Sequence, residues 1–444
     1  MNKLKYKGLT GKVVVPGDPE YERARQEYNK AIDKYPAVIV YCFNPEDVAN
    51  AIRWSRENAI RLRVRSGGHN YEGYSTGTHK LVIDTTFMKD IKLNIADDTV
   101  RIEAGTRLLP LYEYLYKYGY TFPGGTCPRV AISGLVLGGG IGLSTRYLGL
   151  TTDNLLEAEM VGAGGNLLTA NCECNSELFW ALRGAGGGNF GVVTSYKFGL
   201  QKVNKVTLIQ LRWDNNVAAR LQFLQVWQKW LPHLDRRLSS FSGIYKRGAW
   251  VNAFFYGKPE EARRILAPLL AIPGLTLENI DYVPFIDAVK TIAAMYPERE
   301  AFQTAGRFVQ RQFSLDELEK LISIMDRAPS DRDSSIRVYS LGGAVRDIKT
   351  DATSFAYRNA GYIMAITSSW ESKAEAPQHR KWVNAGFKYI YTITRGSYIN
   401  FPYSQTPDYE RAYYGEHLRR LRRIKKEYDP HNIFSFPQSI KPRF

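Results

Sequence analysis

The sequence predicts an α+β protein of two domains, and three observations support this prediction. The chain has 444 residues, whereas a single hydrophobic core rarely grows beyond roughly 250–300 residues. Glycines are concentrated from Gly124 to Gly191, among short strand-like segments. From about Val206 the pattern changes to longer apolar helices and alternating strands. We therefore expect one unit over residues 1–202, a second over 203–395, and a C-terminal segment over 396–444.

Short elements separated by turns fill the first unit. Asn44 is a side-chain cap followed by Pro45 and two acidic residues, which predicts the start of a helix. Apolar alternation predicts strands at 61–65, 81–84 and 100–104, and helical spacing predicts a helix over 108–118. The first of these strands runs directly into a glycine turn, which suits the binding of an anion.

The second unit has the pattern of an antiparallel sheet with helices on one face. Strands are predicted at 208–213, 250–255, 337–341 and 362–370, and helices over 218–230 and 315–325. Ser314 and Glu317 have the spacing of a capping box at the start of the second helix.

The formal net charge is +16, from 60 basic and 44 acidic residues. The densest basic cluster, Arg419–Lys426, is interrupted by Leu421 and Ile424 at helical spacing. This pattern is typical of a solvated helix face rather than of a nucleic-acid interface, so no nucleic-acid partner is expected.

The number and spacing of the cysteines and histidines argue against a disulfide scaffold and against metal sites. The four cysteines are too few for a disulfide scaffold, and Cys172 and Cys174 lie too close together for a zinc signature. Six scattered histidines form no metal-ligand motif. No segment has the roughly 20 apolar residues of a membrane span or the apolar run of a signal peptide. We expect a soluble, cytoplasmic protein without a metal or membrane association.

The first motif with chemical content is Arg65–Gly73, RSGGHNYEG. Adjacent glycines allow a turn without Cβ clashes and direct successive N–H groups at a phosphate, while Arg65 and Ser66 add donors. A pyrophosphate-binding loop is the functional interpretation. Taken alone, so short a motif is more often an ordinary glycine turn.

A second group of glycines surrounds Cys127, with GGTCPRV over 124–130, Gly134, and GGGIG over 138–142. Glycines at this density carry an entropic cost and are tolerated where backbone approaches a ligand closely. They predict the wall of a cofactor site. Cys127 alone is more typical of an inert buried thiol, although Arg129 nearby favours its thiolate.

Gly186–Gly191 formally satisfies the G-x-G-x-x-G spacing of a dinucleotide fingerprint. It follows a helix-like segment, 177–183, and precedes a strand-like one, 192–198, whereas the fingerprint follows a strand and opens a helix. A Rossmann domain is therefore rejected. The chain also lacks a P-loop, an H-E-x-x-H motif and a G-x-S-x-G elbow, so hydrolase and metalloenzyme functions lose their usual support.

Five segments in order resemble berberine bridge enzyme and its bacterial relatives, within the vanillyl alcohol oxidase and p-cresol methylhydroxylase superfamily. They are RSGGHNYEG, GGTCPRVAISGLVLGGGIG, GLTTDNLLEAEMV, ELFWALRGAGGGNFGVVTS and YYGEHLRRLRRIKKEYDPHNIFSFPQSI. The resemblance spans almost the whole chain. It implies a two-part FAD-binding domain of the p-cresol methylhydroxylase type, made from 1–202 and 396–444, with 203–395 as the substrate domain.

The resemblance also implies how FAD is held. His69 matches the histidine bonded to the flavin 8α-methyl group, and Cys127 matches the cysteine bonded to flavin C6. Two bonds from opposite sides hold the ring open to a bulky substrate. The matching segments imply further cofactor contacts from Arg65, Ser66, Gly67, Gly68, Asn70, Gly73, Ser133, Gly134, Gly139, Gly140, Gly142, Asp153, Gly191, Val192, Val193 and Asn400.

Four residues are implied in catalysis. Val130 stands where relatives carry the residue that gates oxygen at the flavin, and a small valine there is the oxidase pattern. Tyr71 matches an active-site tyrosine and is the first candidate to contact substrate, followed by Tyr398 and Asn400. Packing alone would also explain Val130 and Tyr71.

Two positions depart from the family pattern. Phe401 stands where many relatives have a tyrosine that serves as the catalytic base, and phenylalanine cannot accept a proton. Leu135 stands where many have a histidine near the flavin. Either the base lies elsewhere, with Tyr71 as the nearest candidate, or the reaction differs.

The function that the resemblance implies is that of an FAD-dependent oxidase. A hydride passes from an alcohol, such as a sugar hydroxyl, to flavin N5 and then to O2, giving hydrogen peroxide. The partners are then a small-molecule substrate and O2, and oxidation or ring closure of a secondary metabolite is the alternative reaction. Because Phe401 removes the usual base, a flavin-loaded structural or coat protein with little turnover is the alternative of a different class.

Overall fold

A computed structural model describes residues 6–442 and contains three main sheets. The first has four strands in the order β1-β2-β4-β3, with β2 and β3 parallel to β4 and β1 antiparallel to β2. Its strands are β1 Lys12–Val14, β2 Val38–Tyr41, β3 Leu62–Arg65 and β4 Leu81–Asp84, and its helices are α1 Tyr21–Ala24 and α2 Pro45–Glu57. The predicted cap is confirmed, because the Asn44 side chain accepts a hydrogen bond from the Asp47 N–H at 3.0 Å.

The second sheet has five antiparallel strands in the order β5-β6-β10-β8-β9. They are β5 Ile91–Asn94, β6 Thr99–Glu103, β8 Leu155–Val161, β9 Leu167–Asn171 and β10 Val192–Gly199. The helices of this part are α3 Leu108–Tyr116, α4 Ile132–Leu137, α5 Thr145–Leu148 and α6 Ser176–Leu182, and β7 Tyr120–Thr121 pairs with β11 Gln201–Lys202. Gly186–Gly191 lies between α6 and β10, so the helix-before and strand-after context that rejected a Rossmann fingerprint is confirmed.

The third sheet has seven antiparallel strands in the order β15-β12-β14-β13-β17-β18-β16. They are β12 Lys205–Trp213, β13 Leu238–Tyr245, β14 Gly248–Phe255, β15 Leu277–Pro284, β16 Ala301–Val309, β17 Ser334–Ser340 and β18 Tyr362–Trp370. The helices are α7 Val217–Trp230, α8 Pro259–Leu270, α9 Phe285–Ala293, α10 Leu315–Asp326, α11 Ala344–Asp347 and α12 Ala376–Ile393. The capping box between Ser314 and Glu317 is confirmed.

Strand alternation explains why the third sheet has two different faces. On β12, Ile209, Leu211 and Trp213 point into a core shared with the helices, whereas Gln210 and Arg212 point the other way. This confirms the predicted antiparallel sheet with helices on one face. The change from the second to the third sheet falls between β11 and β12, next to the expected boundary at residue 203. The division into domains itself stays a prediction.

The C-terminal segment contains α13 Tyr409–Tyr414 and α14 Leu418–Tyr428. Leu421 and Ile424 are buried, as their spacing predicts. Lys425 is also fully buried, and its ammonium donates to the Asp429 carboxylate at 2.6 Å and to the carbonyls of Asn189 and Phe434 at 2.6 and 2.7 Å. This charged contact ties the C-terminal segment to the glycine-rich loop before β10. No helix within residues 6–442 is long and apolar enough to cross a bilayer.

Candidate active site

A cavity of about 630 Å³ lies between the glycine-rich loops of the first half and the face of the seven-stranded sheet that carries Arg212 and Tyr339. Small-molecule and cofactor sites usually occupy roughly 300–1,000 Å³. The sequence-predicted residues that line it are Ser66, Gly67, Gly68, His69, Asn70, Tyr71, Cys127, Val130, Ser133, Gly134, Gly191, Val193, Tyr398 and Asn400. The structure therefore brings both glycine motifs and the C-terminal segment to one place.

The turn after β3 forms the first wall of the cavity. Gly68 has a φ of +67°, and its carbonyl accepts a hydrogen bond from the Tyr28 N–H at 2.9 Å. A Cβ on Gly67 would lie 2.7 Å from the backbone nitrogen of Ala131, so only glycine allows this approach. The turn is thereby held directly against the loop that carries Cys127.

His69 projects from this turn into the cavity and stacks on Tyr28, with ring centroids 4.2 Å apart. Burial, followed by the nearby charge of Arg107, lowers the pKa of His69 to about 3. A histidine with a depressed pKa stays neutral above that value, so the ring keeps a free lone pair throughout the physiological range.

Cys127 lies in the loop between β7 and α4 and also faces the cavity. The neighbouring Thr126 hydroxyl is hydrogen-bonded to the Tyr296 hydroxyl at 2.5 Å. Burial raises the pKa of Cys127 and outweighs the opposing influence of Arg129, whose guanidinium is paired with Glu298 at 2.8 Å. Arg129 thus acts in the expected direction and lowers the pKa of the Cys127 thiol, but burial outweighs this effect and the net shift favours the protonated thiol.

Arg65 does not provide the phosphate donor expected of it. Its buried guanidinium donates to the carboxylates of Asp84 at 2.5 Å and Glu27 at 3.2 Å, and to the Ala24 carbonyl at 2.7 Å. These ion pairs beneath the turn neutralise the positive charge of the Arg65 guanidinium. Arg65 thus supports the turn from behind and does not line the cavity.

Six other expected cofactor contacts also lie behind the cavity wall. Asp153 forms a buried ion pair with Arg358 at 2.6 Å. Gly139 and Gly140 have positive φ, and a Cβ on either would collide with Phe355 or Thr151. Gly73 packs against Ile32, and Gly142 packs against the Gly124 carbonyl. Val192 lies in the core beneath the first sheet. These residues shape the loops that reach the cavity.

Three of the four candidate catalytic residues, Tyr71, Tyr398 and Asn400, lie close together around Phe401. Tyr71 stacks on Phe401 with centroids 5.3 Å apart and meets Phe302 edge-on at 4.9 Å. Tyr398 is buried, and its hydroxyl accepts hydrogen bonds from the Gly140 N–H and the Asn400 amide, both at 3.1 Å. The Asn400 amide also donates to the Leu135 carbonyl at 2.9 Å. The polar atoms of Tyr398 and Asn400 thus hold the C-terminal segment against α4.

The opposite wall contains residues that sequence reasoning missed. The sheet contributes Arg212, Trp250, Asn252, Arg337 and Tyr339. Their polar and aromatic side chains recur at every second position of a strand, which is the available sequence signal. The signal does not say which face of the strand meets a ligand. A further wall comes from the C-terminal residues Phe434, Ser435 and Phe436.

Comparison with known proteins indicates which ligand this cavity serves. Residues 36–171 match the family described as FAD binding domain, and residues 397–441 match the family described as Berberine and berberine like. YgaK, an FAD-linked oxidoreductase of Bacillus subtilis, is 36% identical, with 98% of this chain and 97% of YgaK covered. The chain belongs to the berberine bridge enzyme-like family of FAD-linked oxidoreductases.

Two further members of known class extend this likeness. Chitooligosaccharide oxidase of Gibberella zeae is 28% identical, with 97% of this chain and 93% of that protein covered. The structure of BBE-like 1 from Physcomitrella patens superimposes with a TM-score of 0.94 at 29% identity, covering 100% of this chain and 99% of that one. These likenesses confirm the predicted fold and the FAD-dependent oxidoreductase class.

The cavity wall itself fits an FAD. Gly134 in α4 is exposed to the cavity, and a Cβ there would meet no heavy atom within 4 Å. Gly187 and Gly188 line the same space. Three segments would therefore hold the cofactor: the turn 66–70, the loop and helix start 127–134, and the glycine loop 186–191.

A leucine at position 134 tests this placement. We expect Gly134→Leu to fold normally, because an added Cβ meets no heavy atom within 4 Å, but to lose most bound flavin, because the side chain extends into cofactor space. The flavin-to-protein absorbance ratio of the purified protein measures this loss. Gly199→Leu is the matched control, since a Cβ there meets only Leu156 at 4.0 Å and lies away from the cavity. Normal flavin content in Gly134→Leu would contradict the placement.

Proposed function

We propose that FAD is held by two covalent bonds, from His69 to the flavin 8α-methyl group and from Cys127 to flavin C6. Both side chains project into one cavity from loops that touch at Gly67 and Ala131, and this convergence is the observation that carries the proposal. Neutral His69 has a lone pair available for bonding. Val130, Ser133 and Gly134 then lie along the same edge of the cavity as Cys127.

We propose oxidation of an alcohol, with a sugar hydroxyl as the favoured substrate class. When bound, FAD supplies the hydride acceptor and passes the electrons to O2, giving hydrogen peroxide. The sheet wall supports a polar substrate, because Asn252, Arg337 and Thr367 line the cavity opposite the glycine loops. Trp250 adds an aromatic surface of the kind on which a sugar ring can pack. The oligosaccharide substrate in the name of the 28% identical relative points the same way.

Val130 is proposed to leave a path for O2 to the cofactor. It is half-buried, lines the cavity three residues after Cys127, and its carbonyl accepts a hydrogen bond from the Leu108 N–H at 3.0 Å. That bond fixes the backbone, so the size of the side chain decides how much space remains beside the cofactor edge.

Reduction of the bound flavin under anaerobic conditions tests the reaction. We expect cellobiose or N,N′-diacetylchitobiose to bleach the flavin absorbance faster than benzyl alcohol does, and admission of air to restore the absorbance with stoichiometric hydrogen peroxide. Faster bleaching by the aromatic alcohol would favour a secondary-metabolite substrate. A flavin that none of the three compounds reduces would contradict the sugar assignment and favour a structural or coat protein.

Substitution of Val130 tests the oxygen path separately. We expect Val130→Leu to slow reoxidation of dithionite-reduced flavin by about tenfold or more, because the larger side chain closes the space beside the cofactor. Stopped-flow absorbance measures the rate at several O2 concentrations, and Val193→Leu provides a second cavity valine for comparison. Reoxidation at the wild-type rate would remove Val130 from this role.

A further inference from the structure

A row of residues crosses the seven-stranded sheet on the face that borders the cavity. Each member is the register partner of the next, so all of them lie on one face of the sheet. In the strand order β12-β14-β13-β17-β18-β16, the row is Arg212, Trp250, Gly243, Arg337, Ala365 and Gly306. Its three large side chains, those of Arg212, Trp250 and Arg337, line the cavity. The row therefore presents two cations and an aromatic ring to a bound substrate.

Phe401 marks one end of this row. A Cβ on Gly306 would lie 2.8 Å from the Phe401 ring, so the ring lies directly against that glycine. The Tyr71 ring stacks on Phe401, and the Tyr398 ring packs on it edge-on. Neighbouring strands are about 4.8 Å apart, so Arg337, two strands from Gly306, lies roughly 10 Å along the row. Arg337 thus faces a part of the substrate that is remote from these rings.

The Arg337 guanidinium is half-buried and weakly matched by the protein. Its Nε donates to the Ser335 hydroxyl at 3.0 Å. Its register partners, Gly243 and Ala365, carry no polar side chain. The Glu300 carboxylate interacts with the Arg337 charge through space, but within residues 6–442 the two form no ion pair. A cation withdrawn from water without a carboxylate partner carries an uncompensated desolvation cost, which an anionic ligand would remove.

The other arginines that line the cavity are differently placed. Arg212 donates to two backbone carbonyls, at 2.8 and 3.1 Å, and to the Asn252 side chain at 3.0 Å. Arg332 is exposed to water, and Arg63 lies on β3 of the opposite wall, where it donates to backbone carbonyls. Among the described cavity arginines, Arg337 is thus partly withdrawn from water and yet paired with neither a carboxylate nor a backbone carbonyl.

We propose that Arg337 binds a carboxylate of the substrate, and that the substrate is an acidic sugar with a uronate ring next to the ring that is oxidised. A guanidinium presents a planar fork of donors that fits both oxygens of a carboxylate, and charge-assisted hydrogen bonds are stronger than neutral ones. Trp250, two strands further from Phe401, provides an aromatic surface for a following ring. This inference rests on the proposed oxidation of a sugar hydroxyl.

Two carboxylates of the described residues also line the cavity, and each lies apart from this position. Asp214 is exposed, follows β12 three strands away from Arg337, and accepts a hydrogen bond from the Tyr245 hydroxyl at 2.5 Å. The Glu300 N–H donates to the Tyr28 carbonyl at 3.2 Å beside His69. If Arg337 served only as a counter-charge for Glu300, the enzyme would show no preference for an acidic sugar.

The test compares two disaccharides that differ at a single carbon. In cellobiouronic acid, the C6 hydroxymethyl group on the non-reducing ring of cellobiose is replaced by a carboxylate. Isothermal titration calorimetry measures the binding of each to the dithionite-reduced, flavin-loaded enzyme under anaerobic conditions, where no substrate can be oxidised. We expect the wild type to bind cellobiouronic acid about tenfold more tightly or better, as for a charged hydrogen bond, and salt to reduce this preference. Equal binding of the two sugars, or binding of neither, would overturn the proposal.

Substitutions then assign the preference to a residue. We expect Arg337→Met to remove the preference while leaving the binding of cellobiose little changed, and Arg337→Lys to keep part of it. Arg411→Met, at an exposed position outside the cavity, is the matched control, and flavin absorbance shows that each variant is folded. A preference that survives in Arg337→Met, or that is lost only in Arg212→Met or Arg332→Met, would overturn the assignment to Arg337.

The reduced enzyme separates this inference from the proposed function. If cellobiouronic acid binds more tightly through Arg337 but neither sugar reduces the oxidised flavin, the proposed oxidation is wrong and the carboxylate site stands. If cellobiose reduces the flavin and the two sugars bind equally, the oxidation stands and the carboxylate site is wrong.

Discussion

The structure of the site depends on the close approach of two loops, the turn after β3 and the loop before α4. The approach is possible because Gly67 has no Cβ to collide with the Ala131 backbone nitrogen, which would lie 2.7 Å away. The ion pairs of Arg65 hold the first loop from beneath. Without this contact His69 and Cys127 would not face one cavity, and neither the cofactor wall nor the substrate space opposite would have its present shape.

The two walls of the cavity differ in chemistry because they arise from different local structure. One wall is backbone: turns and glycines whose missing side chains leave room for a large planar cofactor. The other wall is a regular sheet, whose alternation presents side chains such as Arg337 and Tyr339 at fixed spacing. In the proposed function, the first wall holds the cofactor and the second wall contacts the substrate.

Much of the fold could be predicted from the sequence because its signals are local. The strands at 81–84 and 362–370 have the predicted bounds, and the caps at Asn44 and Ser314 form the predicted hydrogen bonds. Side-chain direction could not be predicted in the same way. The glycine motif predicts that Arg65 donates to a phosphate. The Arg65 guanidinium instead turns toward the carboxylates of Asp84 and Glu27, which are distant in sequence.

The same limit explains the residues that were misplaced and those that were missed. Asp153 lies in a motif that resembles the family's, yet its partner Arg358 is 205 positions away and draws it out of the cavity. Arg337 and Tyr339 lie in a strand without any motif, and only the register of β17 between β13 and β18 turns them toward the cavity. Long-range packing decides these placements, and a single sequence carries no local signal for it.

The most direct test of the account is peptide mapping of the flavin attachment by mass spectrometry. A protease digest of the purified enzyme is predicted to contain one flavin-bearing species that joins the peptide with His69 to the peptide with Cys127. In His69→Ala the flavin should remain on the Cys127 peptide alone. Free FAD in the digest, or flavin on any peptide that contains neither residue, would contradict the account.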